Sequence, residues 1–434
     1  MFVLNGNIKN YLNSVAGNLP PEIVSEATYR QIYRTTALFS DFAASEYIME
    51  THLNTEAAEV DFSFRVLMQE QACLTSGLQN NFSTLAAERT WRKIANFVNC
   101  WPSAIGDIWF EMDYGEYEKP IPQPCFFFNA SQIKKGTEVQ EQLLFNALKQ
   151  LLDMEQTELL WPNLEGVIHQ LPPEAGLFQV GVMLARNNDR VRIFTAELTR
   201  EQVMEYLYAI GWQGPYSRLT ELFEMVHPLS DGQYILDFDV TRQGVSGKIG
   251  INFGLQTKKM LPYFLEKLVT HRLCTDTKRR GVLAWPGSQG SFLGPDYGFT
   301  ALIKNISHFK IGCSPQEGLQ AKAYLRVEGI YLKELFKLNA SKPFPDGQPE
   351  FESEQPCYKE IQKVFKQIAQ RSMLDQDFRK LCLRDGQAAV QAVSGNDKAI
   401  PDILFVEEDQ KKPAGNALVY VLPPFLKPSW LTSK

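Results

Sequence analysis

Phe178-Gln179-Val180-Gly181-Val182-Met183-Leu184-Ala185-Arg186 runs into Asn187-Asn188-Asp189 and returns as Arg190-Val191-Arg192-Ile193-Phe194-Thr195-Ala196-Glu197-Leu198. Two apolar-rich runs flank three residues of the types that tolerate left-handed backbone angles, a spacing that predicts a β-hairpin. A hairpin allows only antiparallel pairing, whereas a doubly wound sheet needs one strand per helix. The fold therefore depends on how often this pattern recurs.

It recurs along most of the chain. Upstream, Val60-Asp61-Phe62-Ser63-Phe64-Arg65-Val66-Leu67-Met68 carries large apolar side chains at every second position, the mark of a strand with one buried face. Residues 108–114 and 125–128 predict another hairpin. Downstream, 234–240 and 248–255 are joined by a Gly-containing loop, and 308–313 and 320–327 by Ser314-Pro315-Gln316-Glu317-Gly318. Between these pairs, apolar residues at three- and four-residue spacing predict helices within 21–53 and over 85–98, 138–154, 200–210, 217–226 and 259–273, with a helical tail at 358–383. A polar linker is expected at 395–401, before two apolar runs at 403–406 and 417–421.

An antiparallel sheet of nine strands has exposed edges unless it closes, and the interposed helices can cover only its outer face. The pattern predicts an α+β fold, a closed antiparallel β-barrel built from helix-hairpin-helix repeats and surrounded by a ring of helices. An open antiparallel sheet with helices on one side is the alternative. No clean linker divides the chain, so 1–434 reads as a single barrel domain, with an N-terminal helical part at 1–59, the barrel repeats at 60–328 and a C-terminal helical part and tail at 329–434.

The chain is 434 residues long, 44% hydrophobic and 22% charged, which is enough for a sizeable core. A net charge of -6 argues against a general nucleic-acid binder. The start lacks the basic segment and long apolar run of a secretory signal, and no stretch approaches the length needed to span a bilayer. Seven scattered cysteines, never spaced CxxC, suit buried thiols in a reducing compartment and give the expectation of a cytoplasmic protein.

If the apolar residues of each strand face the helices, the residues between them line the interior. That set is polar: Asp61 and Arg65; Trp109, Glu111 and Asp113; Arg190 and Arg192; Asp237 and Asp239; Lys248 and Asn252; His308 and Lys310; Lys322, Tyr324 and Arg326. On an open sheet it would be an ordinary solvated face. Inside a barrel, buried charges must be paired or serve a ligand. Cations cluster on the later strands, while Glu111 and Asp113 come early. Fixed cations stabilise the charge that grows on the leaving oxygen of a diphosphate ester, a carboxylate accepts the proton lost by an aromatic or heteroatom nucleophile, and aromatic faces such as Trp109 or Tyr324 shield an allylic cation.

With these positions in view the chain resembles, over about residues 60–327, the ABBA-barrel aromatic prenyltransferases. Lys322-Ala323-Tyr324 is similar to the Lys-x-Tyr strand pattern with which that family holds diphosphate. The resemblance implies that Arg65, Arg192, Lys248 and Lys310 are the matching cations, with Arg326 beside them, and that Glu111 orients the acceptor. The family has ten barrel strands against the nine read here, and strand 60–68 lacks an immediate hairpin partner. What is implied is transfer of a prenyl group from an allylic diphosphate to an aromatic or peptide side-chain acceptor, with no required cofactor and Mg²⁺ optional.

Two rivals remain. Asp237-Phe238-Asp239 and Glu111-Met112-Asp113 each put two carboxylates on one strand face, a pairing that binds Mg²⁺ in a metal-dependent transferase. Alternatively, the barrel binds a peptide or hydrophobic small molecule without transforming it. The chain has no DDxxD run, no GxxxxGK[ST] and no HExxH. Gly287, Gly290 and Gly294, between Pro286 and Pro295, read as a turning loop, and His308 as a hydrogen-bonded structural residue.

Overall fold

The structure, a computed structural model, describes residues 8–36, 39, 46–80, 89–112, 114, 123–133, 138–184, 186, 189–292, 299–331, 364, 367–394, 403–407, 418–422 and 425. Asp113 and the 395–401 linker lie outside the described residues. The chain divides into two compact units, one formed by Asn7–Pro286 with Lys304–Glu328, the other containing Gly287–Ile303 and the described residues from Gly329 onward.

The first unit is a barrel. Its strands are β1 (Glu46–His52), β2 (Asp61–Leu67), β3 (Asp107–Met112), β4 (Pro124–Asn129), β5 (Leu177–Val182), β6 (Arg190–Thr195), β7 (Ile235–Thr241) and β8 (Gly244–Phe253). After β9 (Gly287–Phe292), the long strands β10 (Phe299–Ser314) and β11 (Gly318–Tyr331) complete the set. Each strand pairs with the next from β1 to β8, β8 pairs with β10, β10 with β11, and β11 with β1, so ten strands close a ring. Every barrel pairing with a described register is antiparallel. The closed antiparallel barrel expected from the sequence is the observed fold.

Pairs of helices precede the hairpins: Ile8–Ala16 and Glu26–Thr36, Gln71–Asn80 and Arg89–Asn99, Glu138–Leu151 and Met154–His169, Arg200–Ala209 and Tyr216–Val226, and Leu261–Thr270 and Asp276–Ala284. They pack on the outer face through the apolar residues of the alternation. Trp91 lies against Phe110 with ring centroids 6.2 Å apart, Phe97 against Phe126 at 5.1 Å, Tyr206 against Phe238 at 6.1 Å and Phe264 against Phe309 at 4.7 Å. Burial of such aromatic surface dominates the energetics of a core. The intervening residues are thereby turned into the barrel.

Two expectations need correction. Residues 21–53 are not all helical, because Glu46–His52 is β1, the tenth strand and the partner of β2. Its burial on both faces hides the two-residue period, since Ile48 shares the inner face with Glu46 and Glu50. The glycines at 287 and 290 lie within strand β9 rather than in a turning loop.

The second unit has its own apolar cluster: Ile368, Phe378, Cys382, Ala389, Val390, Phe405 and Leu422. It is assembled from the helices Gln376–Arg384 and Gly386–Ser394 and the parallel pair β12 (Ile403–Val406) and β13 (Leu418–Val421). No helix among the described residues is long and apolar enough to cross a membrane.

Candidate functional site

The register brings the inner residues of neighbouring strands face to face. Going round the barrel, Glu50 is opposite Asp61 and Tyr324, Glu46 opposite Arg65, Arg65 opposite Trp109, and Arg192 opposite Asp239. These residues form two arcs of different chemistry.

The charged arc runs from β6 through β7, β8, β10, β11 and β1 to β2. Arg192 grips Asp239 with two parallel bonds, Nε to Oδ1 at 2.7 Å and a terminal nitrogen to Oδ2 at 3.1 Å, the fork geometry that guanidinium favours. Burial opposes the Asp239 charge, but Arg192 outweighs it and holds the carboxyl below its usual range. Lys310 Nζ donates to Asp237 Oδ1 at 2.7 Å, and Asn252 donates to Oδ2 of the same carboxylate at 2.8 Å. Burial lowers the Lys310 pKa despite Asp237. Gly250 makes this pair fit, because a Cβ there would land on Asp237 and on the Lys310 stem.

At the closing seam, Lys322 donates to Glu50, and Tyr324 also hydrogen-bonds that carboxylate. Burial disfavours the Glu50 charge, yet Lys322 and Lys310 together keep its pKa well below the usual carboxylate value. Burial and the nearby Glu50 push the Tyr324 hydroxyl well above 10.0, so it remains a neutral donor. His308 stacks on the Tyr324 ring with centroids 4.1 Å apart, and burial beside Lys310 lowers its pKa to about 4. Arg326 bonds Glu328 at 2.8 Å and Glu46 at 3.4 Å, and Arg65 bonds Asp107 at 2.8 Å with Glu46 at 3.7 Å.

The other arc, from β3 to β6, is apolar. Cys125, Phe127 and Met183 form a buried cluster with Trp109 and Phe194 packed against it. Phe127 meets Phe194 edge to face at 6.0 Å, and Gly181 leaves room for the Phe127 ring, which an added Cβ would strike. The arcs meet where Lys310 Nζ lies 5.9 Å from the Phe194 centroid. Glu111 is on the same arc, 3.6 Å from Arg186.

Arg65, Arg192, Lys310, Lys322, Tyr324, Arg326, Trp109 and Glu111 thus share the inner face. Lys248 does not join them: it is the last residue of the more exposed half of β8, its side chain 53% exposed and bonded to Glu317 at 2.6 Å. Strand alternation alone cannot show that a strand has already reached solvent. Asp237 and Asp239, the acidic pair of the metal alternative, are each ion-paired with a separate cation, Lys310 and Arg192. Glu46, Glu50 and Asp107 were absent from the sequence reading. The alternation Glu46, Ile48, Glu50, His52 was the signal for the first two, and Ile48 interrupts it, whereas Asp107 continues the alternation of Trp109 and Glu111 one step upstream.

A scan against models of protein families finds no match, and neither does a search of curated protein sequences. Among solved structures, the chain is similar to 5-dimethylallyltryptophan synthase from Streptomyces coelicolor, with 12% identity and a TM-score of 0.48 over 74% of this chain and 97% of that one. It is similar also to the prenyltransferase PriB in ternary complex with L-tryptophan and dimethylallyl thiolodiphosphate, with 11% identity and a TM-score of 0.47 over 73% and 94%. A third is 6-dimethylallyltryptophan synthase from Micromonospora olivasterospora, with 12% identity and a TM-score of 0.43 over 64% and 81%.

Proposed function

We propose that the barrel transfers a prenyl group from an allylic diphosphate to an aromatic or peptide side-chain acceptor. The observation that carries this reading is the placement of Arg192, Lys310, Lys322 and the neutral Tyr324 hydroxyl, drawn from three different strands, on one enclosed face opposite an aromatic arc. On this reading the diphosphate contacts the charged arc, with Arg65 and Arg326 toward its rim. As the allylic C–O bond breaks, these donors take up the charge growing on the leaving oxygen. The allylic cation lies against Trp109, Phe127 and Phe194, whose ring faces attract it while they exclude water. The acceptor attacks the cation, and its displaced proton passes to Glu111. Side-chain cations supply the charge that a metal would otherwise supply, so Mg²⁺ is optional. Cytoplasmic location is part of the same proposal and rests on the scattered cysteines, which are never spaced CxxC.

One observation favours a second reading. Each enclosed cation already has a carboxylate, so a barrel that binds a neutral peptide or small molecule without transforming it needs no rearrangement of charge. A prenyltransferase must let diphosphate compete with Asp239, Asp237 and Glu50 for their partners. The decisive experiment incubates the purified protein with several allylic diphosphates and a panel of indole, phenol and peptide acceptors, with and without Mg²⁺, and reads product mass. A mass gain of one prenyl unit on an acceptor supports transfer. Saturable acceptor binding without product across the panel supports the binding barrel.

A further inference from the structure

Away from the barrel interior, Glu141, Glu165 and His169 converge on the hairpin of Glu138–Leu151 and Met154–His169. Glu165 and His169 lie one turn apart on the second helix, and residues four apart share a face. Glu141 reaches them from the first helix. Their ligand atoms all lie within 4.8 Å of one another, and His169 Nε2 is 3.0 Å from Glu141 Oε1. Bonds of about 2.0–2.2 Å to a tetrahedral zinc ion would set these atoms about 3.3 Å apart, within reach of small side-chain adjustments.

Two features make the triad more than a surface ion pair. The triad offers two carboxylates and one imidazole, a mixed oxygen and nitrogen donor set, and one divalent cation would offset both carboxylate charges. The supporting helices are also braced beside the triad, where Phe145 and Trp161 meet edge to face at 5.1 Å, one turn inward from Glu141 and Glu165. Ligands held on braced helices lose little freedom on binding. The imidazole favours a zinc-like ion over Mg²⁺ or Ca²⁺, which take oxygen ligands.

We propose that Glu141, Glu165 and His169 bind one zinc-class divalent cation, with water completing its coordination, and that the ion pins the open end of this helical hairpin. Chelator-treated protein is titrated with Zn²⁺ against a chromophoric indicator, and thermal unfolding is followed with and without the metal. The expected result is one saturable Zn²⁺ per chain and a raised Tm. His169→Gln and Glu165→Gln should each weaken binding at least tenfold and abolish the Tm rise, while keeping the metal-free Tm. Cys100→Ser controls for the exposed thiol and should bind as the native chain does. Absence of saturable binding, unchanged affinity in His169→Gln and Glu165→Gln, or loss of binding in Cys100→Ser overturns the proposal. None of these outcomes bears on prenyl transfer, because the triad lies outside the barrel's inner face.

Discussion

The two arcs of the barrel interior differ in what holds them. From β3 to β6 the wall is made by shape: Trp109, Phe127, Met183 and Phe194 pack on one another, and Gly181 is small so that Phe127 can lie flat. From β6 round to β2 the wall is made by charge, each cation locked to a carboxylate on an adjacent or nearby strand. Packing tolerates volume-conserving change, whereas removing one member of a buried pair strands the other. The charged arc is therefore the more demanding to build.

The sharpest way to break this division is to change the charged arc alone. Arg192→Ala and the double variant Glu50→Gln/Lys322→Met are each expected to reduce prenyl turnover by about 10²–10³, the usual loss when a donor to developing charge is removed. The double variant removes both charges of a pair and so avoids a stranded Glu50. Steady-state product mass reads the loss and circular dichroism confirms folding; native turnover in both variants would end the assignment of this arc to diphosphate.

A smaller effect is expected on the apolar side. Trp109→Ala removes an aromatic surface worth about 1.5–3 kcal/mol when buried, and with it one face that shields the allylic cation, so kcat should fall about 10–100-fold while inhibition by inorganic diphosphate stays unchanged. An equal loss of diphosphate inhibition would mean that the arcs do not divide the two ends of the donor. Gly250→Ala should destabilise the fold by about 1–3 kcal/mol in chemical denaturation, because its methyl group must displace the Asp237–Lys310 pair.

Acid probes the charged arc without mutation. The folded chain resists protonation of His308 and His52 down to about pH 4, whereas unfolded imidazoles take up a proton near 6.5. The unfolded state thus binds more protons in that window, and Tm should fall as pH drops from 6.5 to 4. Glu50 and Asp239, whose pKa values are held low, add their loss at still lower pH. His308→Gln should flatten the upper part of the curve. Least of all should Lys248→Ala matter: an exposed pair contributes about 0–1 kcal/mol, and turnover should stay within about threefold of native.

Much of this was legible in the sequence, for identifiable reasons. Asn187-Asn188-Asp189 and the Gly318 turn marked hairpins because local backbone preference decides them, and Phe62, Phe64 and Val66 marked an outer face because one face is apolar. β1 was not legible, since Tyr47, Ile48 and Met49 place apolar side chains on both faces. The partnerships Lys322–Glu50, Lys310–Asp237 and Arg65–Asp107 were hidden for another reason. They depend on register between strands far apart in the chain, which no local pattern encodes.

The same seam has a consequence for synthesis. Glu50 and Lys322 are 272 residues apart, and the ring closes only when β11 reaches β1. At about 5–20 residues per second, a ribosome needs on the order of 10–50 s to make the chain between them. Throughout that interval β1 has an unsatisfied hydrogen-bonding edge, with Glu46 and Glu50 as the charges that discourage its capture by another nascent chain.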